Sequence, residues 1–292
     1  MKQVKPAHKI LLDKWSQKNI QLKENLIDKH GQSIDWVKTN GKALAVGSLG
    51  SLLMFASSPQ SLPIRTHVQA QQLSANSIDN TQFLISDLSS LLPKDVSPLT
   101  SDQETQISEI LSRDYGINVS AQIDGKRLDR SYGLIGAEQH LARFPGDNID
   151  THFDSASDST KFSSSGMAPG LGAWGYFATS EADMTPQDAL REEYYIAVPT
   201  FLSADFVSRV AQYRDFYKYR KMLVVNPNNG RAVVVDIADS GPAPFTGKNL
   251  GGSPEVMNYL ERVDGAQKGP VLYFFVDDPN NQIPLGPINI VQ

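Results

Sequence analysis

Between Lys221 and Leu260 the chain reads KMLVVNPNNGRAVVVDIADSGPAPFTGKNLGGSPEVMNYL, the stretch that most narrows what it can fold into. Two apolar, β-branched runs, Met222–Val225 and Ala232–Ile237, flank Asn226-Pro227-Asn228-Asn229-Gly230. Asn and Gly supply the positive φ of a tight turn, so the pattern predicts a β-hairpin. The second run ends in Ala238-Asp239-Ser240-Gly241-Pro242, a carboxylate at a strand end followed by two chain breakers. After Gly251-Gly252, Ser253-Pro254-Glu255 reads as an N-cap, a proline at the first helical position and an acid in the first turn. The short helix that follows would bury Val256, Tyr259 and Leu260.

Asn226, Asn229, Gly230, Arg231, Val233 to Val235, Ile237, Asp239, Gly241, Pro242, Gly247, Lys248 and Ser253, in this order and spacing, resemble the core of a known group. It is the double-psi β-barrel family of rare lipoprotein A-like, expansin-like and barwin-like proteins. The resemblance covers roughly Gly172 to Val276 and is moderately specific. It implies a six-stranded barrel with an open polysaccharide groove, in which the Asp before Gly-Pro, here Asp239, is the catalytic acid/base of lytic transglycosylase members. It also implies that Gly172-Ala173-Trp174-Gly175-Tyr176-Phe177 is the first barrel strand. The polar site departs from the family pattern. No His follows His152, Gly251-Gly252 stand where an Asp precedes the helix Ser, and Ser240 and Ala238 replace an Arg and a polar residue. Expansin-like members imply another outcome, a barrel that grips polysaccharide without cutting it, and a structural envelope protein in which the barrel is only a scaffold is the third.

Charge limits the partners. The chain of 292 residues has a net charge of −5, and nine Lys against four acids in residues 1–42 leave −10 for the rest. An acidic body argues against nucleic acid as a partner. No cysteine is present, so neither disulfides nor thiolates contribute. Residues 1–42 read as a basic helical segment, and 43–56 (ALAVGSLGSLLMFA) as an uncharged signal or membrane-anchor segment. Its basic N-terminal flank orients the remainder outward, exported and either membrane-anchored or secreted. A buried Ala/Gly/Leu helix is the competing assignment.

Residues 57–100 are rich in Ser, Gln and Pro and read as a linker. Residues 101–160 read as a small α+β lead-in. It opens with a capping box at Ser101-Asp102-Gln103-Glu104, continues with a strand over Ile117 to Ile123 and a turn at Asp124-Gly125, and has a helix over Leu134 to Arg143. Residues 161–292 are the expected barrel domain, elaborated by a helix starting at Thr185-Pro186, a strand over Tyr194 to Val198, an amphipathic helix over Ser203 to Tyr219 and a closing strand over Val271 to Val276. The expected class is α+β: a C-terminal six-stranded double-psi-like barrel with helical insertions, behind an α+β segment and a helical or membrane leader.

Asp239 is the candidate catalytic residue, because glycosidic cleavage needs a protonated acid at the leaving oxygen and apolar walls raise a carboxyl's pKa. A turn aspartate bonding the next backbone amides is the plainer assignment. A transglycosylase uses one acid/base, since the sugar's C6 hydroxyl is the nucleophile, whereas a hydrolase normally needs a second carboxylate. For that role Asp236 reads as solvated on the opposite strand face, Glu255 as a helix-dipole acid, and Asp183 stays a candidate. Candidate substrate-binding residues are Trp174, Tyr176, Tyr217, Ser240 and Lys248, with Tyr213 and Tyr219 as further aromatics. His140, His152 and Asp154, with Asp147 and Asp150 nearby, fit no zinc spacing, so neither metal nor cofactor is expected. The expected partner is a cell-wall polysaccharide, with the membrane engaged through the N-terminal segment.

Overall fold

The hairpin forms as the sequence dictates. Strands β6 (Lys221–Val225) and β7 (Ala232–Ser240) pair antiparallel, with Leu223 opposite Val234. The turn closes through the Asn226 N–H, which donates to the Arg231 carbonyl at 2.9 Å, and Gly230 holds φ at +69°. Asn226 Nδ2 donates to the Leu260 carbonyl at 2.8 Å, tying the turn to the end of a later helix. A Cβ at Gly230 would lie 2.9 Å from Thr81 Cγ2. Gly230→Ala therefore meets both a left-handed backbone and a close neighbour, and is expected to cost about 1–2 kcal/mol, read as a lower urea midpoint with an unchanged m-value.

This computed structural model describes residues 80–202, 206–262 and 268–291. Around the hairpin, β9 (Lys268–Val276), β4 (Tyr132–Ala137), β8 (Leu250–Gly252) and β5 (Tyr195–Val198) complete a ring in the order β9-β4-β8-β5-β7-β6, with β6 returning to β9. The result is a closed six-stranded barrel, compatible with a double-psi barrel. The β4–β8 and β5–β7 pairs are parallel and the other four antiparallel. Strand β1 (Val119–Ser120) extends the sheet at β9 and β10 (Gly286–Ile288) at β7, while β2 (Gln122–Ile123) and β3 (Lys126–Arg127) form a separate hairpin around Asp124-Gly125.

Alternate residues of each strand point in and out, and here both faces are buried. Ile135, Ile196, Val224, Val235, Ile237 and Tyr273 fill the interior together with Tyr213, Phe216 and Tyr217 of the helix Val210–Tyr217. Val256, Met257 and Leu260 join them from the Ser253-capped helix Pro254–Tyr259 and its end. On the outside Leu223, Val225, Val234, Leu272 and Phe274 pack under two helices, 80–91 and Ser101–Tyr115. The second is capped by Thr100, which forms the box with Gln103, one residue earlier than the spacing suggests.

Three expectations change. The predicted helix over Leu134–Arg143 is instead the second half of barrel strand β4 and the loop that follows it. Gly133 and Gly136 carry the reason: a Cβ at either would fall 2.7 Å from the side chain of Asn249 or Lys248, so these positions serve close strand crossing rather than a helix. The predicted first strand at Gly172–Phe177 is turn and loop, and the barrel begins ahead of the expected boundary at 161. The expected linker contributes helix 80–91, whose Leu84 and Leu88 are fully buried. The basic segment 1–42 and the apolar run 43–56 lie outside the described residues; among those described, no helix is long and apolar enough to cross a membrane.

Candidate functional site

Asp239 stands where β7 leaves the barrel. In the β5–β7 pairing Ile196 faces Ile237 and Ala197 faces Asp239, so Ala238 is an extra residue that re-aims the carboxylate beyond it. Oδ1 accepts the Ala173 N–H at 2.7 Å and the Ser240 N–H at 2.8 Å. The Ser240 bond is the local turn contact expected of such an aspartate. The Ala173 bond comes from a loop 66 residues away and fixes the carboxyl against the barrel. Oδ2 has no partner among the described residues, yet it is not one of their buried unpaired atoms, so it opens to solvent. Burial raises the carboxyl's pKa above the ordinary aspartate value, and the two N–H donors offset only part of that rise.

The candidate binding residues separate. Tyr176, three residues beyond Ala173, is 39% exposed. Trp174 is partly buried on the core, with its indole N–H donated to the Ile237 carbonyl at 2.9 Å. Ser240 Oγ meets Thr200 Oγ1 at 2.7 Å. Lys248 Nζ is taken up by the Ala137 carbonyl at 2.6 Å and Glu138 Oε1 at 2.9 Å. Tyr217 is corrected from groove to core: it is fully buried, stacks on Tyr213, and donates its hydroxyl to the Arg127 carbonyl. Buried Tyr213 leaves the groove set with it, and Tyr219 lies between Phe177 and the Arg191 guanidinium. Sequence reasoning passed over Phe245, 92% exposed on the loop after Gly241-Pro242; the signal was a large aromatic set between turn residues.

Among the partner carboxylates, Asp183 is a surface cap, its Oδ2 accepting the Thr179 and Ser180 hydroxyls. Asp236 is not solvated. It is 1% exposed on the outer face of β7, with Arg191 Nε at 3.6 Å and Oδ1 unpaired, and burial drives its pKa well up. A carboxyl whose pKa is raised on folding binds more protons folded than unfolded, so stability falls as pH rises from the unfolded value through the raised one. Asp236→Asn removes that slope. The difference in stability between variant and parent should move in the variant's favour from pH 5 to pH 9, measured by urea denaturation.

Glu255 is more than a helix-dipole acid. Burial, and then the charge of Glu192, push it up to about 8. It belongs to a second cluster. His152 Nδ1 lies 2.9 Å from Asp147 Oδ2, and its Nε2 lies 3.0 Å from Glu192 Oε2. Burial alone would lower the His152 pKa, but the bonds to Asp147 and Glu192 outweigh it and carry it to about 9. Glu192 Oε1 accepts the Leu141 N–H at 2.9 Å and lies 3.4 Å from His140 Nδ1, which is 4.0 Å from Glu255 Oε1. His140, His152 and Glu192 thus present donor atoms within 4.8 Å of one another. The two histidines were noticed in the sequence, but Glu192, 40 residues beyond His152, had no spacing rule to join it to them. Asp154 is exposed at the rim, with its side chain 87% accessible. Tyr195, on β5, is buried, and burial followed by the charges of Glu192, Glu138, Asp239 and Glu255 drives its pKa well up; its hydroxyl is donated to the Gln139 carbonyl. No family model and no curated protein matches the chain, so its own geometry carries the functional reading.

Proposed function

We propose that the barrel end carrying Asp239 acts on a cell-wall, peptidoglycan-type glycan by lytic-transglycosylase-like cleavage, with Asp239 as the acid/base. The observation that supports this reading is a half-buried carboxyl anchored through Oδ1 by two backbone N–H groups, with Oδ2 open to solvent. Protonated Asp239 donates its proton to the glycosidic oxygen as the C1–O bond breaks. The sugar's C6 hydroxyl attacks C1 and returns its proton to the carboxylate, so the product is a 1,6-anhydro sugar and no water is consumed. Tyr176 and Phe245, exposed on the two loops that adjoin Asp239 in the structure and in the chain, offer flat apolar faces to sugar rings. The same reading takes segment 43–56 as a signal or anchor that carries the barrel out of the cell.

The exposed rings also favour a second reading, an expansin-like module that holds the polymer without cutting it. Incubation with purified sacculi distinguishes the two. Clearing by the parent protein and its absence with Asp239→Asn support cleavage. Sedimentation with sacculi, unchanged by Asp239→Asn and without clearing by either protein, supports the binder. Neither clearing nor sedimentation overturns both.

A further inference from the structure

We infer that His140, His152 and Glu192, with Glu255 beside them, form a binding site for one divalent transition-metal ion, with zinc the best match to the donors. The site is separate from Asp239 and does not depend on the glycan reading. Its donors come from distant parts of the chain: His140 just beyond β4, His152 on the loop before the helix Ala156–Phe162, Glu192 on the helix Pro186–Glu193, and Glu255 on the helix Pro254–Tyr259.

Two independent observations point to a ligand. The first is spacing. Tetrahedral ligands about 2.0–2.1 Å from zinc lie about 3.3 Å from one another. Glu192 Oε2 stands 3.0 Å from His152 Nε2 and its Oε1 3.4 Å from His140 Nδ1, and one donor atom from each of the three residues lies within 4.8 Å of the others. Glu255 Oε1, 4.0 Å from His140 Nδ1, is close enough to join as a fourth donor or to hold a metal-bound water. The second is polar accounting. His140 is 0% exposed, and among the described residues its Nε2 has no hydrogen-bond partner and its Nδ1 only the long 3.4 Å approach of Glu192 Oε1; Glu255 Oε2 is buried and unpaired there as well. Buried polar groups left unpaired are rare and costly, and an ion held between them would satisfy several at once.

The surroundings are those of a metal histidine. Asp147 holds His152 Nδ1 at 2.9 Å and is itself held by the Arg143 N–H at 2.8 Å, which leaves Nε2 turned toward Glu192. Such a carboxylate fixes the ring orientation and raises its basicity as a ligand. Phe153 meets both imidazoles edge-on at 5.1 and 5.2 Å and walls the site with an apolar ring. A cavity of about 90 Å³ beside His152, Glu192 and Glu255 leaves room for water at an open coordination position.

The test uses the full chain, stripped with chelator and titrated with zinc chloride or cobalt chloride. Expected are one ion per chain by elemental analysis, a melting temperature that climbs with free zinc, and tetrahedral visible bands for cobalt. His140→Ala is expected to abolish stoichiometric binding. Asp147→Asn, acting only through His152, should weaken it by about 10–100-fold. Because His140→Ala removes a core ring, Glu255→Gln gives a milder second variant whose altered cobalt spectrum reports the fourth position. Failure of the folded parent chain to retain either metal overturns the inference. So does stoichiometric binding that all three variants leave unchanged.

Discussion

Asp239→Asn is expected to lower the rate of glycan cleavage by about 10²–10⁴-fold while leaving the fold intact. Asparagine keeps an oxygen to accept the Ala173 and Ser240 N–H groups, so the loop stays docked. What disappears is the proton at the outer atom. That loss corresponds to about 3–5 kcal/mol of transition-state stabilisation, small enough for binding of the polymer to survive. The pH profile carries the same signature. Burial favours the neutral carboxyl, so the proton needed at the leaving oxygen is retained to higher pH than in an ordinary aspartate, and activity declines as pH rises through that raised value. Rates on sacculi across pH, for parent and variant, check both statements. A variant that cleaves at the parental rate excludes Asp239 from the chemistry.

The second large effect lies in the core. Tyr217→Ala is expected to destabilise the barrel by about 3–5 kcal/mol, since the ring is fully buried among Tyr213, Phe216 and Phe275 and leaves a cavity that rigid strands cannot fill. Tyr217→Phe removes only the hydroxyl that reaches the Arg127 carbonyl and should cost about 1 kcal/mol. Urea denaturation of the three proteins gives both numbers. If Tyr217 lined a sugar groove, alanine would leave stability almost unchanged and weaken polymer binding instead. Binding at the level of the parent, measured below the variant's melting temperature, fits the interior position.

The fold was legible where its signals are local. Asn226 to Gly230 specify a turn, Ser253-Pro254 a helix start, and Asp124-Gly125 a second turn, each within a few residues. It was illegible where distant elements decide. Alternation could not distinguish the inside of β6 and β7 from the outside, because helices 80–91 and Ser101–Tyr115 bury the outer face and make both faces apolar. On the same outer face the helix Pro186–Glu193, through Arg191, turned Asp236 from an expected solvated acid into a buried one. Strand β4 carries Leu134, Ile135 and Ala137 at spacings a helix also satisfies, and only its glycines, pressed against Asn249 and Lys248, give it away. Asp239 was visible as a carboxylate before Gly-Pro, but the Ala173 amide that fixes it comes from a loop expected to be a strand. The histidine cluster was half visible, for its carboxylates arrive on two separate helices.

The most direct measurement is the mass spectrum of soluble fragments released from purified sacculi by the full chain. The account predicts fragments ending in 1,6-anhydro sugar, lighter by one water than hydrolysis products, from the parent and none from Asp239→Asn. Release of ordinary reducing ends, equal release of anhydro ends by both proteins, or no release at all would contradict it.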